Sequence, residues 1–164
     1  MKTLMLLRHA KSSWKDSDVS DHDRPLNKRG KKTAPQMGRL LRKDGLLPDL
    51  ILASTAVRAR ETARAVAKAA KYKGPVELLE SLYLATAGKL LAEAQSRTPD
   101  SVGRLLLVGH NPGMEELVEI LCGRRETFPT AALAVFEVGI DEWKALELGV
   151  ETKLVKVYRP KEMD

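Results

Sequence analysis

The sequence predicts an α/β fold, a three-layer sandwich in which a mostly parallel central sheet is covered by helices on both faces. Short apolar runs that are typical of buried strands alternate along the chain with stretches of helical periodicity. The composition fits a globular protein, because 43% of the 164 residues are hydrophobic and 30% are charged. No repeat, low-complexity stretch or linker divides the chain, which predicts a single domain over residues 1–164.

A strand and a helix, joined by a polar loop, open the chain. Residues 3–7 are continuously apolar, which predicts a strand that is buried on both faces. A loop rich in Ser and Asp follows over residues 11–25. The next helix has an apolar face and ends before Gly45. Because an interior proline loses a helical hydrogen bond, we expect this helix to begin near Ala34 or to kink at Pro35.

The second strand and its helix follow directly. Residues 49–53 have the apolar pattern of a buried strand. Ser54 and Thr55 are expected to cap the next helix, because a hydroxyl oxygen there can accept a free backbone N–H. That helix is predicted to end near Lys71. Its predicted inner face consists of small or apolar side chains at helical spacing: Ala59, Ala63, Val66, Ala67 and Ala70.

The second half of the chain continues the alternation and ends in β structure. The patterns predict strands at 76–79 and 104–108 with a helix at 88–95 between them. Asn111 and Pro112 are expected to open another helix, as its cap and its first residue. Residues 131–138 and 152–158 are predicted to form a late β pair, because no long helix separates them.

Several classes of protein and of site are disfavoured by composition. The longest apolar run, residues 131–136, is too short for a membrane span, and no signal-peptide core precedes Arg8, so a cytoplasmic protein is expected. The single cysteine, Cys122, excludes an internal disulfide, and three histidines make a zinc site improbable. Motifs for dinucleotides and for zinc hydrolases are absent, and no apolar strand precedes the lysines near Gly30 as a nucleotide-phosphate loop requires.

The basic charge is concentrated in one segment. The net charge is +6, and residues 28–43 contain seven basic side chains and no acidic one. The rest of the chain has slightly more acidic than basic side chains, so the whole excess lies in this segment. It is either a solvated helix face or a docking surface for an acidic partner or a phosphorylated substrate. Nucleic acid is not expected, because no recognition motif accompanies the charge and only 4% of residues are aromatic.

Polar side chains that suit phosphoryl chemistry follow the predicted strands. In an open parallel sheet, ligands bind beyond the carboxyl ends of the strands. Arginine forks match phosphate oxygens, a neutral imidazole is a competent nucleophile, and a protonated imidazole can donate to the transferring group. No metal or cofactor is then required. The residues at these ends are Arg8 and His9 after the first strand, Ser54 and Arg58 after the second, Glu80 after the third, and His110 and Asn111 after the fourth.

Together these segments resemble the signatures of the histidine phosphatase superfamily, which has a phosphoglycerate mutase-like fold. The resemblance rests on Leu7-Arg8-His9-Ala10, on residues 54–63 and on Val108-Gly109-His110-Asn111-Pro112. Residues 23–30 and the short length are more narrowly similar to the SixA-type phosphohistidine phosphatases. The family's usual first motif ends in Gly, where this chain has Ala10.

This resemblance implies a role for each matching residue. His9 would be the phosphorylated nucleophile, Arg8 and Arg58 would bind the phosphoryl group, and His110 would complete the pocket. Lys11 and Ser12 occupy the loop that often lines the phosphate site. Glu80 is the best positional candidate for a general acid; the alternative is an exposed glutamate that starts a loop. A phosphohistidine substrate would relax the need for an acid, because imidazole leaves more easily than an alkoxide.

The sequence therefore predicts a cofactor-independent, metal-free phosphatase that acts through a covalent phosphohistidine at His9. A phosphohistidine protein is the favoured substrate, with inorganic phosphate as the product and no membrane partner. A small-molecule phosphomonoesterase with the same site is the first alternative, and a non-catalytic phosphate-binding module is the second. A mutase is disfavoured, because the chain is short for loops that enclose a bisphosphate.

Overall fold

A computed structural model describes residues 1–163 and contains one six-stranded sheet with the strand order β3-β2-β4-β1-β5-β6. The strands β1 to β4 are mutually parallel where they pair, whereas β5 runs antiparallel to both β1 and β6. The predicted mostly parallel sheet is confirmed. The strands are β1 (Lys2–Arg8), β2 (Leu50–Ser54), β3 (Val76–Leu79), β4 (Arg104–Gly109), β5 (Leu133–Val138) and β6 (Thr152–Tyr158). The helices are α1 (Lys28–Lys43), α2 (Val57–Ala70), α3 (Ala87–Arg97) and α4 (Gly113–Cys122).

Side chains of β1 alternate between two separate apolar clusters. Leu4 and Leu6 pack with side chains of α3 and α4, whereas Met5 and Leu7 pack with side chains of α1 and α2. All four are fully buried. Because both faces of the strand are covered, its sequence is a continuous apolar run. The three-layer arrangement predicted from the sequence is confirmed.

The start of α1 excludes one of the two predicted alternatives. The helix begins at Lys28, so a start near Ala34 is wrong, and Pro35 lies inside it. The side chain of Asn27 accepts a hydrogen bond from the N–H of Gly30 at 2.8 Å and so caps the first turn. This cap, together with a buried apolar face, offsets the single backbone hydrogen bond that a proline removes.

The predicted cap of α2 is wrong, whereas the predicted cap of α4 is confirmed in part. Ala56 occupies the cap position of α2, and neither Ser54 nor Thr55 caps the helix with its side chain. The hydroxyl of Ser54 instead accepts from the N–H of Ala56 and contacts a histidine described below. At α4 the helix starts at Gly113, and Asn111 Oδ1 accepts from the N–H of Glu115 at 3.2 Å.

The carboxyl ends of the parallel strands meet at one edge of the sheet. In the β1–β4 register Arg8 lies beside Gly109, so the residues that follow them are neighbours. The N–H of His9 donates to the carbonyl of Gly109 at 3.0 Å and continues the ladder by one step. Beyond β4 and β1 lies Ala131, whose backbone φ is +62° and whose N–H donates to the carbonyls of Arg8 and His9. This turn explains why β5 begins at Leu133 and not at residue 131.

None of the helices within residues 1–163 combines the length and the apolar character that crossing a membrane demands.

Candidate active site

A cavity of about 290 Å³ lies at the carboxyl edge of the sheet, and we call it the central cavity. Most of the side chains predicted from the strand ends and from the first loop come together here, and seven of them line it: Arg8, His9, Lys11, Ser12, Arg58, His110 and Asn111. Trp14, Asp21, Arg24, Leu84 and Thr130 complete its lining. The ring centroids of His9 and His110 are 5.1 Å apart.

The imidazole of His9 is held in one tautomer by the backbone. Its Nδ1 lies 2.8 Å from the carbonyl oxygen of Ala10, and because a carbonyl can only accept, Nδ1 carries the proton. The lone pair is then on Nε2. The side chain is almost completely buried, and this burial, reinforced by the charges of Arg58, Arg8 and Arg24, lowers the pKa of His9 to about 4. At neutral pH the ring is therefore uncharged and nucleophilic at Nε2.

Ala10 connects the end of β1 to α2. Its N–H donates to Thr62 Oγ1 at 2.9 Å, and the same hydroxyl donates to the carbonyl of Arg58 at 2.7 Å. The methyl group of Ala10 is fully buried in the apolar cluster that includes Leu7. The structure thus accommodates a methyl group at the position where the first motif of the histidine phosphatase superfamily usually has Gly.

His110 stands opposite His9 and is even more deeply buried. Its Nε2 lies 2.8 Å from Ser54 Oγ, and its Nδ1 has no hydrogen-bond partner among the described residues. Burial first, and then the neighbouring His9 and Arg58, lowers the pKa of His110 to about 3. The ring is neutral in the absence of a bound anion. A dianionic group in the central cavity would raise this pKa, because an opposite charge nearby favours the imidazolium form.

The two predicted arginines reach the cavity from different elements. Arg8, at the end of β1, donates from Nη1 to the carbonyl of Phe128 at 3.2 Å, and its buried Nε has no partner among residues 1–163. Arg58, in the first turn of α2, is 4% exposed. Its two terminal nitrogens donate to the carbonyl and to the carboxylate of Asp21, at 2.6 and 3.0 Å. Both guanidinium groups are therefore positioned by the protein before any ligand arrives.

Asp21 is the centre of a charged cluster that sequence reasoning missed. Its carboxylate accepts from Arg58, from Arg24 Nη1 at 2.9 Å and from the hydroxyl of Tyr83. The Tyr83 hydrogen bond, followed by those of the arginines, lowers the pKa of Asp21. Arg24 also donates to Ser12 Oγ, and the ring of Tyr83 lies 5.4 Å from that of His110. Arg24 stood in a segment that resembled the family, but Asp21 and Tyr83 had no signal in the pattern.

The third histidine also lies near the site. The ring of His22 is 4.8 Å from that of Tyr83, in an edge-to-face arrangement, and its Nε2 is 2.9 Å from Thr55 Oγ1. Strand-end reasoning placed two histidines at this edge and left His22 in a loop. Only the path of that loop over the sheet edge brings it close.

The loop with Lys11 and Ser12 is held by the start of α1. The carbonyl of Lys11 accepts from the N–H of Asn27 at 2.9 Å, and Ser12 forms an isolated β-bridge with Leu26. A Cβ atom on Gly30 would lie only 2.2 Å from the Lys11 carbonyl oxygen, so no larger residue fits there. Residues 24–30 thus position the loop that lines the central cavity.

Glu80 lies apart from these residues. It begins a short 3-10 turn, Glu80–Leu82, is exposed to solvent, and does not line the central cavity. Asp21 is the one carboxylate among the lining residues given above. Within residues 1–163 no group of three or more His, Cys, Asp or Glu side chains is arranged to hold a metal ion.

Comparisons with known proteins agree with this geometry. The chain is 36% identical over 154 residues to a protein of Mycobacterium tuberculosis, which covers 87% of this chain and 93% of the relative. It is 34% identical over 152 residues to a chloroplast protein of Arabidopsis thaliana, with 87% and 69% covered. The crystal structure of a candidate phosphohistidine phosphatase SixA from Agrobacterium tumefaciens superposes with a TM-score of 0.82 at 31% identity, over 97% of this chain and 98% of that one.

A family model matches the part of the chain that contains the parallel strands β2 to β4 and most of β1. The profile of the histidine phosphatase superfamily (branch 1) matches residues 4–122, which include both the His9 and the His110 segments. The SixA-type structure and this match together support a phosphatase. The chain belongs to the histidine phosphatase superfamily (branch 1).

Proposed function

We propose that the protein hydrolyses phosphohistidine in other proteins and that the phosphoryl group passes through a covalent intermediate on His9. One observation carries the choice of substrate. Asp21 is the only carboxylate that residues 1–163 contribute to the lining of the central cavity, and it is kept ionised by Tyr83, Arg58 and Arg24, so it is a poor proton donor. Such a site favours a leaving group that departs without taking up a proton.

Transfer between two imidazoles meets this condition. In the first step the Nε2 lone pair of His9 attacks phosphorus in line with the departing nitrogen, and the P–N bond of the substrate breaks. The proton on Nδ1 of His9 stays on that nitrogen, hydrogen-bonded to the carbonyl of Ala10. The substrate ring enters protonated on its far nitrogen and keeps that proton. The substrate imidazole leaves neutral, and the phosphoryl group has moved without any net proton transfer.

In the second step water completes the cycle. A water molecule attacks phosphorus, the bond between phosphorus and Nε2 of His9 breaks, and the electron pair returns to that nitrogen. Both protons of the water leave with the product as dihydrogen phosphate. His9 is regenerated in the neutral tautomer that its Nδ1 hydrogen bond selects.

The other lining residues stabilise the transferring group. Arg8 from β1 and Arg58 from α2 both line the central cavity, and guanidinium forks match the equatorial oxygens of a phosphoryl group. The Nδ1 atom of His110, which has no protein partner among residues 1–163, is available to donate once the incoming charge has raised the pKa of this ring. Because these groups are placed in advance, little reorganisation is needed at the moment of transfer.

The shape of the entrance is compatible with a protein side chain. Trp14 is 77% exposed and Leu84 is 53% exposed, and both line the central cavity at its solvent side. A histidine side chain that projects from a partner protein can enter such a site, and apolar rim residues are suited to contact with a macromolecule.

The test compares leaving groups at a constant site. We expect kcat/KM to be highest for a peptide with a single phosphohistidine and lower for an aryl phosphate. For an alkyl phosphate, which requires a protonated leaving oxygen, kcat/KM should be more than about 10²-fold below that of the peptide. Mass spectrometry after rapid quenching in alkali should find the phosphoryl group on His9. An alkyl phosphate that is hydrolysed as fast as the peptide would instead favour a small-molecule phosphomonoesterase, and the lack of turnover with any substrate would favour a binding module.

Glu80→Gln is the matching test of the predicted general acid. Because Glu80 is exposed and outside the cavity lining, we expect kcat on the phosphohistidine peptide to change by less than about twofold. A loss that grows from the peptide to the alkyl phosphate would assign Glu80 as a proton donor and would contradict the preference for an easily departing nitrogen.

A further inference from the structure

A row of exposed basic side chains extends from the central cavity across the start of α1, and we call it the basic strip. It consists of Lys11, Lys15, Lys28, Arg29, Lys31 and Lys161. Its first part surrounds a second cavity of about 190 Å³, which is lined by Lys11, Arg29, Thr33, Pro129, Thr130, Pro160 and Lys161. Lys11 and Thr130 line both this cavity and the central one, so the two spaces adjoin.

The strip continues on the other side of Arg29. A third cavity of about 400 Å³ is lined by Lys15, Lys28, Arg29 and Lys31, together with backbone and side chains of residues 25–27. Arg29 belongs to both the second and the third cavity. A continuous basic surface therefore leads away from the phosphoryl site, contributed by the first loop, by α1 and by the C-terminal turn Pro160–Glu162.

The charge of the strip is not neutralised within the described part of the chain. Among residues 1–163, no acidic side chain lines the second or the third cavity, and no carboxylate forms an ion pair with a strip residue. The nearby Arg159 differs, because Glu126 and Glu162 pair with it. Uncompensated charge at the edge of a binding site attracts and orients ligands of the opposite sign.

The seven basic residues of the 28–43 segment are not equivalent. Lys28, Arg29 and Lys31 belong to the strip, whereas Arg39 lines a different groove between α1 and α2, with Lys68 and Lys71. Ten helical residues separate Arg29 from Arg39, which corresponds to roughly 15 Å along the axis. The two ends of one basic helix therefore offer a matched pair of sites, one beside the central cavity and one remote from it.

We propose that the basic strip binds an acidic polypeptide segment of the substrate protein while its phosphohistidine occupies the central cavity. This inference rests on the proposed function and adds the chemistry of the partner. The strip passes over two cavities and presents six cations, which is more than a second phosphate of a small substrate would occupy. Nucleic acid lacks support here, because none of the described residues that line the second or the third cavity is aromatic and could stack on a base.

Two synthetic peptides test the proposal on the full-length protein. Each carries one phosphohistidine, flanked in one peptide by glutamates and in the other by lysines. The variant Arg29→Glu/Lys161→Glu reverses two charges of the strip, and Arg39→Glu/Lys68→Glu makes the same charge change in the remote groove. Phosphoramidate, a small P–N compound, reports on the central cavity alone.

We expect the strip variant to lower kcat/KM for the glutamate-flanked peptide about tenfold, as for two reversed ion pairs at an exposed interface. It should leave the rate on phosphoramidate within twofold of wild type. The kcat/KM of the strip variant for the lysine-flanked peptide should not fall. The remote variant should match wild type on all three substrates. Raising the salt concentration should weaken the preference of the wild type for glutamates.

Other results would overturn the inference. If the strip variant loses equal kcat/KM on both peptides, or if the two variants lose equal kcat/KM, the strip does not recognise acidic residues that flank the phosphohistidine. If the wild type binds a single-stranded oligonucleotide in a salt-dependent manner and the strip variant does not, while the peptide kinetics of the two proteins are equal, the strip is a nucleic-acid site. If wild type hydrolyses no phosphohistidine, the proposed function fails. Fluorescence anisotropy then measures the dissociation constant of the labelled glutamate-flanked peptide and tests the strip separately. Equal dissociation constants for the wild type and the strip variant would reject the proposal that the strip binds an acidic segment.

Discussion

The two sides of the central cavity are built in different ways. On the sheet side, His9 and His110 are deeply buried at adjoining strand ends and are held by contacts to Ala10, Gly109 and Ser54. On the loop side, residues 11–27 contribute Asp21, an exposed residue whose carboxylate forms ion pairs with the buried arginines Arg24 and Arg58. Buried groups have perturbed pKa values and few alternative positions, whereas a carboxylate that solvent reaches interacts less strongly with its partners. The comparison teaches that the sheet determines the chemistry and the loop determines access and charge.

The largest effect should come from the sheet side. We expect His9→Ala to lower kcat by more than about 10³-fold, because the nucleophile is removed while the rest of the site remains. Circular dichroism should show a folded protein. His22→Ala is the matched control from the loop side and should retain most of the activity. Comparable losses in the two variants would erase the distinction between sheet and loop.

The pH dependence of stability sharpens the same comparison. Because the pKa of His9 is lowered from 6.5 to about 4, the unfolded chain takes up a proton between these pH values that the folded protein does not. Stability should therefore be lost as the pH falls from 6.5 to 4, by about 3 kcal/mol from this residue. Urea unfolding at several pH values measures the loss, and His9→Ala should show a shallower dependence. Parallel curves for both proteins would mean that His9 is not held neutral by burial.

A guanidinium group tests the boundary between the two sides. Arg58 comes from α2 but donates to Asp21 of the loop. We expect Arg58→Lys to lower kcat/KM about 10²-fold, because an ammonium group cannot reproduce the planar pair of donors that a phosphoryl group requires. The neighbouring exposed Arg64→Lys is the control. Full activity of the Arg58→Lys variant would show that charge alone suffices at this position.

The smallest effect is expected from the loop carboxylate. Asp21→Asn preserves an acceptor for Tyr83 and Arg58 but removes the negative charge beside the phosphoryl site. Inorganic phosphate should then inhibit a few-fold more strongly, because it no longer competes with a carboxylate for Arg58. Product inhibition by phosphate gives the measurement, with Asp23→Asn as the control on the same turn. Weaker inhibition would mean that Asp21 holds Arg58 in place more than it opposes the anion.

Local patterns were sufficient for most of the fold. The predicted strands at 76–79 and 152–158 have the bounds that the structure shows, and the remaining strands differ by one or two residues at one or both ends. A start of α1 near Ala34, one of the two alternatives, was wrong, because the Asn27 cap and the packing of the helix on α2 override the local penalty of Pro35. The cap at Ser54 was wrong for a related reason, since the Ser54 hydroxyl contacts His110, which follows another strand.

The candidate site divides in the same manner. The convergence of Arg8, His9, Arg58 and His110 could be predicted, because parallel strands bring their carboxyl ends to one edge. Asp21, Tyr83 and His22 could not be predicted, since they reach the site through loops whose paths depend on long-range packing. The placement of Glu80 outside the cavity lining likewise depends on the turn that follows β3.

By itself, the order of residues determined which segments are strands, which of them are buried on both faces, and which reactive side chains follow them. These properties depend on periodicity and on short-range sterics, and both can be read along the chain. Only the tertiary structure decided that a loop carboxylate pairs with Arg58, that burial makes both cavity histidines neutral, and that one end of a uniformly basic helix adjoins the site. Burial and electrostatic environment are properties of three-dimensional neighbourhoods, and residues far apart in sequence create them.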